Sequence, residues 1–215
     1  MKLDTNSNPI HFAVVATDVV CFRVIDGKLH TLVAKAPSHS PFPGEWALLG
    51  GMVRSRETVE DTASRILKDK AGVENIFIDQ VHAFSRVDRD PRDRVVSIAY
   101  LALTYLDPQD ISKAQLETKW FDTECLPKLA YDHDEIFKYT LSHLRFKIQN
   151  TDFARHLLAG EFTLSELQST YEAVLGERLD KRNFRKKVLA SDMLKGTKRT
   201  KKKGVMRPAA LFNFK

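Results

Sequence analysis

The chain has 215 residues, 43% of them hydrophobic, and a formal net charge of +6, enough apolar material for one large or two small domains with a real core. Two cysteines, Cys21 and Cys125, form neither a disulfide framework nor a zinc-type cluster. The polar start and the interruption of the apolar stretch Phe12 to Phe22 by Asp18 argue against a signal peptide and a membrane span, so a cytoplasmic protein with no membrane partner is expected.

The charge is unevenly spread. Residues 151–215 hold fifteen Lys and Arg against seven Asp and Glu, so the whole basic excess lies in the last third, as in proteins that meet a polyanion. A solvated basic face is the plainer alternative.

In chain order, Phe12 to Val24 and Leu29 to Ala34 are β-branched runs joined through Asp26-Gly27, a hairpin signal. Pro37, Pro41, Pro43 and Gly44 predict a loop, after which Trp46 to Leu49 leads to an expected turn at Gly50-Gly51. A helix should begin near Ser55 or Thr58 and end at Gly72. Ile76 to Val81, Val95 to Tyr105 and Trp120-Phe121 are further strands. Helical spacing returns from Asp132 or Asp134 to about Lys147 through Ile136, Leu141 and Leu144, closing a first domain over residues 1–149.

A second domain, 150–215, opens on Thr163 and Glu166 at capping-box spacing, with Leu164, Leu167, Tyr171 and Val174 on one helical face up to Gly176. Asp180 caps a second helix. Its early exposed positions, Lys181, Arg182, Asn183, Arg185 and Lys186, are suited to phosphates and base edges. Two short helices across a glycine turn outline a helix-turn-helix. The basic tip that follows, with Lys198, Arg199, Lys201, Lys202 and Lys203 between Gly196 and Gly204, reads as the hairpin of a winged helix-turn-helix. A disordered lysine tract is the alternative.

The run from Gly51 through Glu57 and Arg65 to Ala71-Gly72-Val73, led by Trp46-Ala47-Leu48-Leu49-Gly50, resembles the Nudix box, the loop-helix-loop with which Nudix hydrolases hold metal and cleave nucleoside diphosphate derivatives. Where that family has acids, this chain has Ile66, Asp69 and Lys70. Hard cations require several oxygen ligands. Ile66 offers none and Lys70 brings a competing positive charge, so the sequence predicts a box that keeps its frame without its catalysis, with no metal ion and no cofactor.

Joined to a winged helix, this degenerate box resembles the Nudix-related (NrtR-like) transcriptional regulators, repressors of NAD-metabolism genes that sense ADP-ribose or a related metabolite. The stretches Asp88 to Tyr100, Leu129 to Ile136, Phe162 to Gln168 and Leu179 to Arg185 carry that likeness. It implies an α+β fold, a Nudix α/β/α sandwich with a mixed sheet followed by a winged helix-turn-helix, acting as a homodimer on a double-stranded operator. It also implies an effector site over the sheet. Phe42 and Trp46 are candidates for a base or ribose platform, although core packing is an equal reading for Trp46. Arg54, Arg86, Arg89, Arg92 and Arg94 are candidates for a diphosphate, which guanidinium pairs bidentately, and Lys70 for the place of the missing cation. The rival readings are the same architecture with a pentose effector, an active Nudix hydrolase using Glu57 and Asp69, and a nucleotide-binding interaction module whose basic tail contacts RNA or acidic protein.

Overall fold

The computed structural model describes residues 12–74, 76–105, 116–202 and 208–215. Strands β1 (Val14–Ile25) and β2 (Lys28–Lys35) form the hairpin read from the sequence. Its two turn residues, Asp26 and Gly27, both lie at positive φ, 49° and 76°, the backbone that a two-residue turn between right-twisted strands requires. Next come β3 (Trp46–Ala47) and β4 (Leu49–Met52). The expected turn at Gly50-Gly51 is instead part of β4, paired with β1 through Asp18↔Gly50 and Thr17↔Gly51. Glycine is needed at position 50 for a different reason: a Cβ there would stand 2.1 Å from the Asp18 carboxylate.

Helix α1 (Val59–Ala71) begins at Thr58, one of the two starts expected. Thr58 and Asp61 form a reciprocal capping box, and Gly72 ends the helix in the left-handed conformation. Strands β5 (Phe77–Phe84), β6 (Val95–Leu103) and β7 (Thr118–Asp122) complete a seven-stranded sheet. The sheet is mixed. β1 and β6 run parallel across nine paired positions while its other pairings are antiparallel.

Period-two alternation divides the apolar residues between the two faces. Val19 and Cys21 of β1 with Tyr100 and Ala102 of β6 meet Ile66, Leu67 and Ala71 of α1. Val20, Phe22, Ala99 and Leu101 face the other way and meet Ile136, Phe137 and Leu144 of α2 (His133–Asn150). Helices on both faces of a mixed sheet are the layering expected.

Helix α2 is continuous to Asn150 and leads through a 3-10 turn at Phe153–His156 into the second unit. There β8 (Phe162–Thr163), α3 (Leu164–Leu175), α4 (Lys181–Ala190), β9 (Leu194–Lys201) and β10 (Ala209–Phe214) follow in order. Both predicted caps form: Thr163 and Glu166 close a capping box, and the Asp180 side chain accepts from the Asn183 amide. The three strands pair in the order β8-β10-β9 beside the two helices, a winged helix whose wing is the β9-β10 hairpin. The two units share one apolar core running from Val20 through Leu144 to Val174, Phe184 and Val188. Phe153 sits edge-on to Phe77 of β5 and His156 stacks on the same ring at 3.9 Å. Among the described residues no helix is long and apolar enough to cross a membrane.

Candidate functional site

A cleft of the first unit opens where β1, β2 and β4 meet the C-terminal end of α1 and the loop between β5 and β6. Its lining includes Asp18, Gly50, Lys70, Arg89, Arg92 and Tyr131.

Two of the three positions where the resemblance implies acids, 66 and 70, carry other groups here. Ile66 is fully buried and packs beneath Gly51, where a Cβ would touch its Cδ1 at 3.4 Å. Glu57 accepts from Arg65 through both carboxylate oxygens, at 2.7 and 2.9 Å, and from the Thr62 hydroxyl at 3.0 Å. The Arg65 guanidinium, helped by Thr62, holds the Glu57 carboxyl down at about 2. Lys70 donates to the Gly50 carbonyl inside the cleft. Burial pulls its ammonium below the usual lysine range, against the attraction of Asp18. The divalent cation that the Nudix box implies does not fit this donor set, and among the described residues no group of three or more His, Cys, Asp or Glu is placed to hold a metal.

Beneath the cleft lies a buried ion cluster. Arg89 extends from the β5-β6 loop and forks onto Asp132 through Nε and Nη2, both at 2.8 Å. Its Nη2 also reaches Asp18 of β1 at 3.1 Å. Ser97 donates to Asp18 at 2.6 Å. His133 accepts the Leu48 amide on Nδ1 at 3.0 Å, which leaves the ring proton on Nε2, 3.5 Å from Asp18. Burial pushes the Asp18 carboxyl up, but His133, Arg89 and Ser97 outweigh it and hold it well below the usual carboxylate range. Arg89 and Lys70 together balance the two buried carboxylates, as charges taken out of water must be balanced.

The residues singled out from the sequence are therefore dispersed. Lys70, Arg89 and Arg92 line the cleft, but Arg89 is committed to two carboxylates, and Arg92 pairs with Asp90 at 2.7 Å. Phe42 stands one layer back, its ring 4.6 Å from that of Tyr131. Trp46 is turned away: alternation in β3 gives the cleft Ala47 and sends Trp46 onto Phe121 at 5.2 Å, with Lys35 over its ring. This is the core-packing alternative rather than a platform. Arg54 is exposed beside Glu57, Arg86 is exposed between Asp88 and Glu135, and Arg94 donates to the Arg86 carbonyl at 3.4 Å; none of the three lines the cleft. Sequence reasoning missed the roles of Asp18 and Tyr131, and read Asp132 as a helix start without its partner Arg89. Tyr131 has φ of 57°, unusual for a residue with a bulky side chain.

On the second unit, Lys181, Arg182, Asn183 and Lys186 are exposed along α4, with Lys187 as a further exposed cation. Arg185 is half-buried and turned back, its Nη2 3.4 Å from the Ser165 hydroxyl. In the wing, Lys198 and Lys202 are exposed. Arg199 and Lys201 are drawn onto acids of the unit itself: Arg199 pairs with Glu161 at 2.8 Å and Lys201 with Glu166 at 2.7 Å. Lys203 lies outside the described residues.

Comparison with known proteins agrees with both halves. Residues 15–140 match the NUDIX domain and residues 154–214 the NrtR DNA-binding winged helix domain. The chain is 32% identical over 206 residues to the ADPR responsive transcriptional repressor NtrR of Acinetobacter baylyi, an alignment covering 93% of this chain and 81% of that one. The crystal structure of Shewanella oneidensis NrtR complexed with a 27mer DNA superposes with a TM-score of 0.79 at 29% identity, covering 94% of this chain and 93% of that chain. The NUDIX domain of the same protein, crystallised with ADP ribose, gives a TM-score of 0.55 at 29% identity over 65% of this chain and 95% of its own. A degenerate Nudix fold continuous with a winged helix, and a relative alike over almost the whole length, place this chain in the NrtR family of Nudix-related transcriptional regulators.

Proposed function

We propose that the chain is a DNA-binding transcriptional repressor of NAD-metabolism genes in the cytoplasm, in which residues 1–149 sense ADP-ribose or a closely related nucleotide and residues 150–215 read a double-stranded operator as part of a homodimer. It binds its signal without consuming it. The observation that carries this reading is Lys70: where a hydrolase of this fold needs an acid, an ammonium points into the cleft. A lysine there attracts a diphosphate as a point charge but cannot hold a cation or activate water as a bound metal does.

The other groups support the same division of labour. Arg92 stands at the exposed side of the cleft, held by Asp90 yet close to Tyr131, where a guanidinium can turn to a phosphate oxygen. Glu57, fully engaged by Arg65 and Thr62, is a structural clamp on the loop before α1. On the DNA side, α4 presents Arg182 and Asn183 in its first turn, and recognition helices contact base edges through their N-terminal residues. Two copies related by a twofold axis would place two such helices on one pseudopalindromic site.

The test is calorimetry of the full chain with ADP-ribose in the presence of a chelator, with product analysis on the same samples after adding Mg²⁺. Saturable binding without metal, and ADP-ribose recovered intact with Mg²⁺, are expected. Turnover that disappears in Glu57→Gln would overturn the sensor reading in favour of a hydrolase. Binding of a pentose in place of ADP-ribose would overturn the choice of effector.

A further inference from the structure

The start of α2 is held in an unusual way. Asp132 occupies its N-cap position, where an aspartate ordinarily accepts a hydrogen bond from an amide of the first turn. Here Asp132 makes no side-chain cap. Both of its oxygens are turned down to the Arg89 guanidinium instead, at 2.8 Å each. The residue before it, Tyr131, lines the cleft and lies at φ 57°, a conformation that is unfavourable for a residue with a Cβ and persists only where its surroundings enforce it. The residue after it, His133, lines the cleft too and holds the Leu48 amide.

Three consecutive residues therefore join the cleft to the first turn of one helix, and Arg89 is the group that holds the side chain of the middle one, while the Leu48 amide holds His133. The guanidinium comes from the same loop as Arg92, which opens onto the cleft. Its other partner, Asp18, lies against Gly50, whose carbonyl receives Lys70. At its far end α2 touches the DNA-binding unit directly: Arg145 Nε donates to the Val174 carbonyl at the end of α3, 3.0 Å away. A Cβ on Gly176, the cap of α3, would meet the Arg145 guanidinium at 3.3 Å.

From this geometry we infer that Arg89 is a positioning residue that couples the effector cleft to the winged helix by holding the start of α2 uncapped, and that it is not a ligand of the effector. The inference rests on the effector reading proposed above. The second arrangement this inference requires is one in which the Asp132 side chain leaves Arg89 to cap its own helix, replacing the 3.0 Å bond from the Glu135 amide to the Asp132 carbonyl, and Tyr131 relaxes. An effector that binds the two arrangements unequally moves α2, and α2 moves the junction with α3. Linkage of this kind requires two states and a differential affinity, and it is tested by coupling rather than by proximity.

The experiment measures operator affinity by fluorescence anisotropy, using DNA from upstream of the chain's own gene, with and without saturating ADP-ribose. The wild type, Asp132→Asn, Arg89→Lys and Glu135→Gln are compared, with calorimetric ADP-ribose affinity and melting temperature for each. Glu135 is an exposed residue of the same turn that pairs only loosely with Arg86, and it serves as the control. In the wild type and Glu135→Gln, ADP-ribose should weaken operator binding by about tenfold or more, within the usual range of allosteric coupling. Asp132→Asn loses the charge and Arg89→Lys loses the fork. Both should still bind ADP-ribose and DNA separately, while coupling falls below about threefold. A lower melting temperature with full coupling in both variants would make Arg89 a purely structural residue and overturn the inference. A loss of ADP-ribose affinity in Arg89→Lys larger than the loss of coupling would make it a ligand, with the same consequence. A wild type that neither binds ADP-ribose nor responds to it would fail at an earlier step, overturning the effector reading and this inference with it.

Discussion

The two units use charge in opposite ways. Around the cleft, Arg89, Asp18 and Asp132 are nearly inaccessible, with side-chain exposures of 4%, 6% and 3%, and each has a fixed partner. On the winged helix, Arg178 and Arg199 are 95% and 74% exposed, and the cations along α4 face solvent. Arginine as a residue type therefore says little about its role. Buried pairs fix geometry at a desolvation cost; exposed ones contribute little to stability and are free to exchange their partners for phosphates.

The heaviest loss is expected on the buried side. Arg89→Met leaves the buried Asp132 carboxylate without the cation that pairs with both of its oxygens, and should destabilise the protein by about 3–5 kcal/mol. Arg199→Met should cost less than about 1 kcal/mol. Urea titration of the two variants is the measurement, and similar losses would erase the distinction. The buried cluster also sets a pH window. The folded value of Asp18 lies below its unfolded value, so its contribution is fully present above the unfolded value of about 4 and is lost as pH falls from there toward the folded value.

Next in size are the residues that should read bases. Arg182→Ala or Asn183→Ala, at exposed positions of the first turn of α4, should cost about 1–3 kcal/mol on the operator with little change on unrelated DNA. Arg185→Ala should do less in a shift assay, because its guanidinium is turned back to Ser165. A larger loss from Arg185 than from Arg182 would mean that α4 docks by a different face.

The same contrast divides what is legible in the sequence from what is not. Local signals resolve well: the Asp26-Gly27 hairpin, the Thr163 capping box and the Gly72 and Gly176 stops are all readable because each depends on residues a few positions apart, whereas the missing acids at Ile66 and Lys70 are read only through the resemblance to the Nudix box. The buried cluster is not readable. Arg89 lies 71 residues from Asp18 and 43 from Asp132, and no periodicity joins them. In the sequence, Arg89 is one arginine among several in a charged loop, indistinguishable from the exposed Arg86. Trp46 offers a platform by type, but the parity of β3, which decides its face, is a property of the sheet. Gly50-Gly51 carries a turn signal, yet the Asp18 carboxylate claims the space above position 50 and the pair becomes strand.

Smaller effects test the local signals themselves. Thr58→Ala and Thr163→Ala each remove a side chain that accepts from the third helical amide, and each should cost about 1 kcal/mol in thermal or urea unfolding. Smallest per residue are the wing cations. Lys198→Gln and Lys202→Gln should weaken binding to all DNA sequences alike and flatten the salt dependence by about one unit for each phosphate no longer neutralised. Lys201→Gln should show less, because Lys201 is already paired with Glu166. Equal slopes in all three would mean that DNA displaces the internal acid without penalty.

In this reading one half of the chain binds a nucleotide signal without destroying it, and the other half releases DNA in response. Both statements meet in a single titration of ADP-ribose into the complex of the full chain with DNA from upstream of its own gene, in Mg²⁺ buffer, following anisotropy of the DNA and the amount of AMP in the same tube. Release of DNA at saturating ADP-ribose, with no AMP formed over many hours, is the predicted result. Release that reverses as AMP accumulates, or DNA that stays bound at every concentration of ADP-ribose, would contradict it.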